Sequence, residues 1–233
     1  MSEKPERVAP GVYRVDAIGF KNTISVLLLE NDDGWTLVDT GVAGSVERIK
    51  SAMTSLGSGP EDLKRIFITH HHDDHTGGLK GLLDWAPGAE VGATAHEAEV
   101  VSGRRGFDPP SNSFFRYVSR NAEPPGVPVD KVLQEGDFVS GFRLISTPGH
   151  TLGHAALLRN SDGLLFTADA FGCLPRKIRV GVRKAFCTNP PLAKRSAEKL
   201  LGERFATVVM AHGPVLREDS RAKLQEAVER CRY

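Results

Sequence analysis

Four side chains able to bind a metal ion, His70, His72, Asp74 and His75, fall within six consecutive positions of this chain. They lie in the run Thr69-His70-His71-His72-Asp73-Asp74-His75-Thr76-Gly77-Gly78, and the apolar stretch Arg65-Ile66-Phe67-Ile68 leads straight into it. In extended backbone alternate residues share a face, so His70, His72 and Asp74 are expected to point one way and His71 the other. A turn after Asp74 would then bring His75 in from a second direction. Imidazole and carboxylate suit zinc, iron and manganese, and four donors exceed what one ion needs from a single loop. The run reads as half of a two-metal site. Its internal position sets it apart from a purification tag.

Three later positions have the same character. In Thr147-Pro148-Gly149-His150-Thr151-Leu152-Gly153-His154, Pro148 and Gly149 force a tight turn that aims His150 off the end of the alternating run Phe142-Arg143-Leu144-Ile145-Ser146. Leu164-Leu165-Phe166-Thr167-Ala168-Asp169 is a short apolar run ending in a carboxylate, and Thr207-Val208-Val209-Met210-Ala211-His212-Gly213 is another ending in an imidazole. Sheet proteins place ligands at such strand ends, although a single acid there also suits a turn or helix cap.

Strands and helices that could position these groups alternate along the chain. Strands are expected at 12–16, 23–29 and 35–38, the last two joined by an Asn31-Asp32-Asp33-Gly34 hairpin turn. Val46, Ile49, Met53 and Leu56 lie at helical spacing within 45–56, with Gly57 as the stop. A strand from Arg65 feeds the histidine run, followed by a helix over 79–85, a strand over 91–93 and a helix over 94–102. The second half carries strands at 132–133, 142–146, 154–158 and 164–167, then helices at 191–201 and 218–230.

These motifs, together with Leu37-Val38-Asp39-Thr40-Gly41, resemble the metallo-beta-lactamase superfamily in its hydrolase branch typified by glyoxalase II, over roughly residues 11–212. The resemblance implies an α/β (α+β) fold, a four-layer αββα sandwich built as a single domain over 1–233. It implies two divalent metal ions, zinc foremost with iron or manganese as alternatives. His70, His72 and His150 would hold one ion, Asp74, His75 and His212 the other, with Asp169 bridging. Asp39 would stand behind the ligands and orient an imidazole, or serve simply as a turn acid before Gly41. Asp74 is the expected catalytic group, orienting the nucleophilic water and handling its proton. His154 reads as a core histidine or one supporting the ligands, and His71 and His96 as surface groups.

The implied reaction is metal-assisted hydrolysis of an ester, thioester, lactone or phosphoester. No G-x-S-x-G run suggests a serine nucleophile. Members with a Cys ligand place it where this chain has Asp169, which disfavours lactam hydrolysis. Flavodiiron proteins carry Glu where His72 stands. Glyoxalase II has a C-terminal helical extension, whereas about 20 residues follow His212 here. Acyl-homoserine lactonases use a Tyr near the site, for which Tyr117 is the one candidate here, and the lactonase reading stays open. A mononuclear iron oxygenase resembling persulfide dioxygenases is the alternative reading, and a non-catalytic metal-binding scaffold a second.

Two segments stand outside this pattern and are candidates for substrate choice. Residues 103–128 hold five of the 14 prolines and the aromatics Phe107, Phe114, Phe115 and Tyr117. The segment could wall the metals, or Phe114 and Phe115 could pack a helical turn onto the sandwich. Residues 175–184 carry five cations, Arg176 and Arg179 among them, that could hold a substrate carboxylate or phosphate. Alternation with Ile178, Val180 and Val182 favours an exposed β-ribbon with a solvated polar face.

Composition bounds the partners. With 233 residues, 40% hydrophobic and 25% charged, the chain can bury a core, and a formal net charge of +1 gives no field to draw it to nucleic acid or anionic lipid. A small-molecule substrate is expected, with no nucleic acid, no membrane and a homodimer left open. The first residues lack an apolar core, and three cysteines without a C-x-x-C pattern fit reduced thiols, so a cytoplasmic setting is expected.

Overall fold

The computed structural model describes residues 4–173 and 177–233 and has mixed α/β architecture with several sheets. Its contacts divide it into two compact units, Met1–Arg105 with Pro124–Leu133, and Gly106–Glu123 with Gln134–Tyr233.

In the first unit β1 (Glu6–Ala9), β2 (Val12–Asp16), β3 (Ser25–Asn31), β4 (Gly34–Val38), β5 (Leu63–Ile68), β6 (Glu90–Thr94) and β7 (Lys131–Leu133) form one sheet in chain order. The first four are antiparallel neighbours, and β4 to β7 pair parallel. Parallel pairing needs crossovers, supplied by α1 (Val46–Ser55), by α2 (Asp73–Thr76) with α3 (Leu79–Trp85), and by α4 (Ala95–Val101). Ile49 and Met53 of α1, Leu79 and Leu82 of α3, and Ala98 and Val101 of α4 pack with Val26, Leu28, Leu37, Ile66 and Ile68 of the sheet. Each such buried aliphatic side chain contributes on the order of 1.5–3 kcal/mol. Leu27, Leu29, Val38 and Phe67 are buried too, which explains why these strands read as continuous apolar runs.

The second unit starts with α5 (Ser113–Ser119). It continues through β8 (Phe138–Val139), β9 (Phe142–Ser146), β10 (Ala155–Arg159), β11 (Leu164–Phe166), β12 (Phe171–Cys173), β13 (Ile178–Val180), α6 (Pro190–Leu201), β14 (Thr207–Val209) and α7 (Ser220–Glu229). Its main sheet runs β14-β11-β10-β9-β8, with β11 and β14 parallel, and β12 pairs with β13 as a separate hairpin. Ala197 and Leu200 of α6 and Leu224 and Val228 of α7 close over Leu158, Leu165 and Val208.

Most expected elements are present within a residue or two. The strand expected at 23–29 is displaced to Ser25–Asn31 because Phe20 to Thr23 form a turn closed by the Thr23 N–H donating to the Phe20 carbonyl. The strand Glu6–Ala9 was not anticipated: it is a largely exposed edge strand, so it lacks the apolar alternation that marks a half-buried one. Among the described residues, no helix is long and apolar enough to cross a membrane.

Candidate metal centre

In the first unit, the groups of interest leave the carboxyl ends of β4 and β5, neighbouring parallel strands. Beyond β5 the chain stays extended to His72 (φ −62°, ψ 149°) and then enters α2 at Asp73. The turn therefore precedes Asp74 instead of following it, correcting the extended reading. Asp74 and His75 sit on a helical turn, where the His75 and Thr76 N–H groups donate to the His72 carbonyl. Two successive acids favour a helix start at this point. The ring centroids of His70 lie 4.8 Å from His72 and 3.9 Å from His75, and His75 Nε2 lies 3.9 Å from Asp74 Oδ1.

Asp39, just past β4, stands behind this cluster. Its Oδ2 is 2.8 Å from His75 Nδ1, and its Oδ1 accepts the Thr69 N–H at 2.8 Å. The Thr69 hydroxyl donates to Asp39 and lies 3.1 Å from His70 Nδ1. Partners at Nδ1 direct the Nε2 lone pairs of both imidazoles outward, as metal ligands require. Asp39 holds a left-handed backbone (φ +62°), a conformation that Asp tolerates better than most residues.

His71 does point away from its neighbours, but not to solvent. It is fully buried with Nδ1 2.7 Å from Glu97 Oε2, an equally buried carboxylate on α4. The surface reading of His71 fails because α4, 26 positions on, supplies a partner that local spacing cannot reveal. His96 is half-buried.

In the second unit the turn after β9 places His150. Gly149 adopts φ +130°, and a Cβ there would run into the backbone of Ala193 in the first turn of α6. Thr188 N–H donates to the His150 carbonyl and Asn189 N–H to that of Gly149, both at 2.9 Å, while the Asn189 side chain caps α6. Asp169 and His212 follow β11 and β14, and parallel pairing sets those strand ends side by side. Asp169 faces two imidazoles: Oδ2 is 3.2 Å from His150 Nε2, and Oδ1 is 3.3 Å from His212 Nε2. Ligand atoms bound to one ion at about 2.0–2.1 Å and tetrahedral angles stand about 3.3 Å apart, so both spacings suit coordination.

His154 is buried behind Asp169. Its Nε2 accepts the Asp169 N–H at 3.1 Å and its Nδ1 is 2.7 Å from the Thr147 hydroxyl. Ala168, at φ +43°, is the strained link that turns Asp169 off its strand. Several partners escaped sequence reasoning: Thr69, Thr147, Glu97 and Cys187. Thr69 is a neighbour of His70 and could have been noticed. Cys187, whose Sγ lies 3.8 Å from His150 Nδ1, is 37 positions from it and left no signal. Burial, and then the Asp169 charge, pushes the Cys187 thiol up to about 12.

The remaining candidates are distributed differently. Phe114 and Tyr117 are exposed on α5, whose residues are nowhere fully buried, so Phe114 does not pack down as expected. Phe115 alone turns inward, 4.8 Å from the Phe186 ring. The stretch before α5 is nevertheless anchored beside His150: buried Asp108 accepts the Leu152 N–H at 2.7 Å, and the Ser111 N–H donates to the Cys187 carbonyl at 2.8 Å. Arg179 lies half-buried on the β12–β13 hairpin in a cleft lined by none of this unit's His150, Asp169 and His212. Arg176 lies outside the described residues.

Comparison with known proteins bears on family and fold. Residues 20–212 match the sequence profile of the metallo-beta-lactamase superfamily. The chain is 26% identical over 223 residues to the Bacillus subtilis protein YobT, covering 90% of this chain and 91% of that one. It is 34% identical over 133 residues to a hydroxyacylglutathione hydrolase of Alkalilimnicola ehrlichii, covering 56% of this chain and 41%, less than half, of that enzyme. A solved metallo-beta-lactamase of Cronobacter sakazakii superposes with TM-score 0.70 at 22% identity, covering 98% of this chain and 91% of that one, and shares its fold. With a profile spanning most of its length and His/Asp groups fit to hold divalent metal, the chain belongs to the metallo-beta-lactamase superfamily.

Proposed function

We propose that the chain is a binuclear metallo-hydrolase acting on an ester, thioester, lactone or phosphoester of a small molecule. His70, His72 and His150 with Asp169 would form one ligand group, and Asp74, His75 and His212 the other, Asp169 bridging the two. The observation that carries this reading is Asp169, with one carboxylate oxygen directed at each of two imidazole nitrogens. Five imidazoles and two carboxylates suit zinc best among common divalent ions, with iron and manganese compatible. Divalent ions bound there would supply Lewis-acid polarisation of the scissile oxygen and a water whose pKa is lowered toward about 7.

The chain's own groups supply orientation. Asp39 and Thr69 hold the His75 and His70 rings by Nδ1, and His154 holds the Asp169 backbone. Asp74 is only partly buried, with a third of its side chain exposed, so its carboxylate is accessible to a water nucleophile and can take its proton. Phe114, Phe115 and Tyr117, on a segment tethered beside His150, are assigned as an aromatic wall for the substrate's organic part. Three cysteines without disulfides support a cytoplasmic setting.

Metal analysis of the purified protein, paired with an ester, thioester, lactone and phosphodiester panel, tests the proposal. About two divalent ions per chain and turnover of one class are expected, with both falling sharply in Asp169→Ala. A metal-loaded protein that hydrolyses nothing in the panel would overturn the reading. One iron per chain with oxygen uptake on a persulfide would replace it with the oxygenase.

A further inference from the structure

The second unit contains a basic cleft of about 570 Å³ that the metal chemistry does not use. Six cations line it: Lys177 and Arg179 on and beside β13, Arg183 and Lys184 in the following loop, and Arg230 and Arg232 after α7. No acidic side chain is among its described lining residues. Across all 233 residues the formal net charge is only +1, so this is a local concentration of charge and not a generally basic surface. Like charges gathered from three separate segments repel one another, a cost that an anionic occupant would relieve.

The cleft is also built and not merely charged. Tyr233 closes one wall, its hydroxyl donating to the Val180 carbonyl at 2.7 Å, and Lys184 Nζ stands 5.2 Å from the centroid of its ring. Arg230 donates to the Ile178 carbonyl at 3.3 Å and pairs with Glu226, which ties the end of α7 to the hairpin. Ile178 and Ala185, both half-buried, give the cleft apolar surface. Four of the six cations are arginines, whose planar forks match phosphate oxygens in pairs. The volume suits a small organic molecule.

We propose that this cleft binds a small phosphate-bearing organic anion, its phosphates held by the arginine and lysine side chains and its organic group against Tyr233 and the apolar surface. The site stands independently of the hydrolase assignment.

Calorimetric titration of the metal-replete full-length chain with pyrophosphate and with ADP tests it. Saturable binding is expected, tighter for ADP than for pyrophosphate and weaker as salt rises. The double substitution Arg183→Gln/Arg232→Gln, at two exposed arginines of the cleft, should weaken it about tenfold or more while metal content and melting temperature are unchanged. Equal affinity in the double variant, or no heat at millimolar pyrophosphate, would overturn the proposal. So would binding that disappears when the wild-type protein is stripped of metal, since that would put the phosphate on the ions. ADP binding no tighter than pyrophosphate would remove the role given to Tyr233.

Discussion

Asp39 Oδ2 lies 2.8 Å from His75 Nδ1 across 36 positions of sequence, both side chains almost wholly buried. A carboxylate so placed selects the tautomer with its proton on Nδ1 and leaves Nε2 to bind metal. Asp39→Asn keeps the size and tolerates the positive φ, but removes the charge. It should weaken metal binding by about 10- to 100-fold. Competition with a chromophoric chelator measures this, and an unchanged metal affinity would show that the pair has no part in ligand orientation.

Gly149 shapes the turn that presents His150. Gly149→Ala meets the Ala193 backbone and forces a side chain onto φ +130°, so the turn and the start of α6 must both shift. Destabilisation of about 3 kcal/mol or more is expected, from overpacking and strained backbone together. Chemical denaturation measures it, and a loss below about 1 kcal/mol would show that the turn adapts freely.

Glu135 ties the end of β9 to α6, accepting the Ser146 N–H at 2.6 Å and pairing with Lys199 at 2.9 Å. Partial burial raises its carboxyl, but Lys199 and the Ser146 N–H outweigh that and hold it below its ordinary 4.5. The folded chain therefore keeps this charge to lower pH than the unfolded chain does. The stabilisation is complete above about pH 4.5 and is lost as pH falls through the folded value. Because the pair is about half exposed, Glu135→Gln should cost only about 0.5 kcal/mol at pH 7. The two proteins should converge in stability once the pH falls below the folded value. A gap that persists in acid would show that charge is not its source.

Cys187 is buried and its thiol is pushed up to about 12, burial acting first and the Asp169 charge second. It should resist alkylation at pH 8 in the native protein and react promptly in denaturant, as mass spectrometry of iodoacetamide-treated protein would show. The unfolded thiol ionises near pH 8.5, so stability supplied by the buried neutral thiol is complete below that pH and declines as pH rises toward 12. Rapid native labelling of Cys187 would contradict the burial.

His71 and Glu97 form a pair with no exposed surface at 2.7 Å. Removing one partner leaves a buried group without its counterpart, so His71→Ala should destabilise by about 3–5 kcal/mol. The double variant His71→Phe/Glu97→Leu should recover much of that loss. Thermal unfolding of both checks the pair, and no recovery would place the cost in packing.

The amino-acid order was sufficient for the donor runs and for the strands that end in them. Strand and helix periods are local, so β5, β9, α1 and α6 are legible in their apolar spacing, and Gly149 beside Pro148 announces its turn. Tertiary structure decided what depends on partners distant in the chain. It placed Asp39 against His75, Glu97 against His71 and Cys187 beside His150, and it set the Asp169 and His212 strand ends side by side. It also started a helix at Asp73 where alternation alone predicted extended chain. Backbone dihedral preference acts over a few residues, whereas hydrogen bonding in a low-dielectric interior selects whichever group folding brings within about 3 Å, at any separation along the chain.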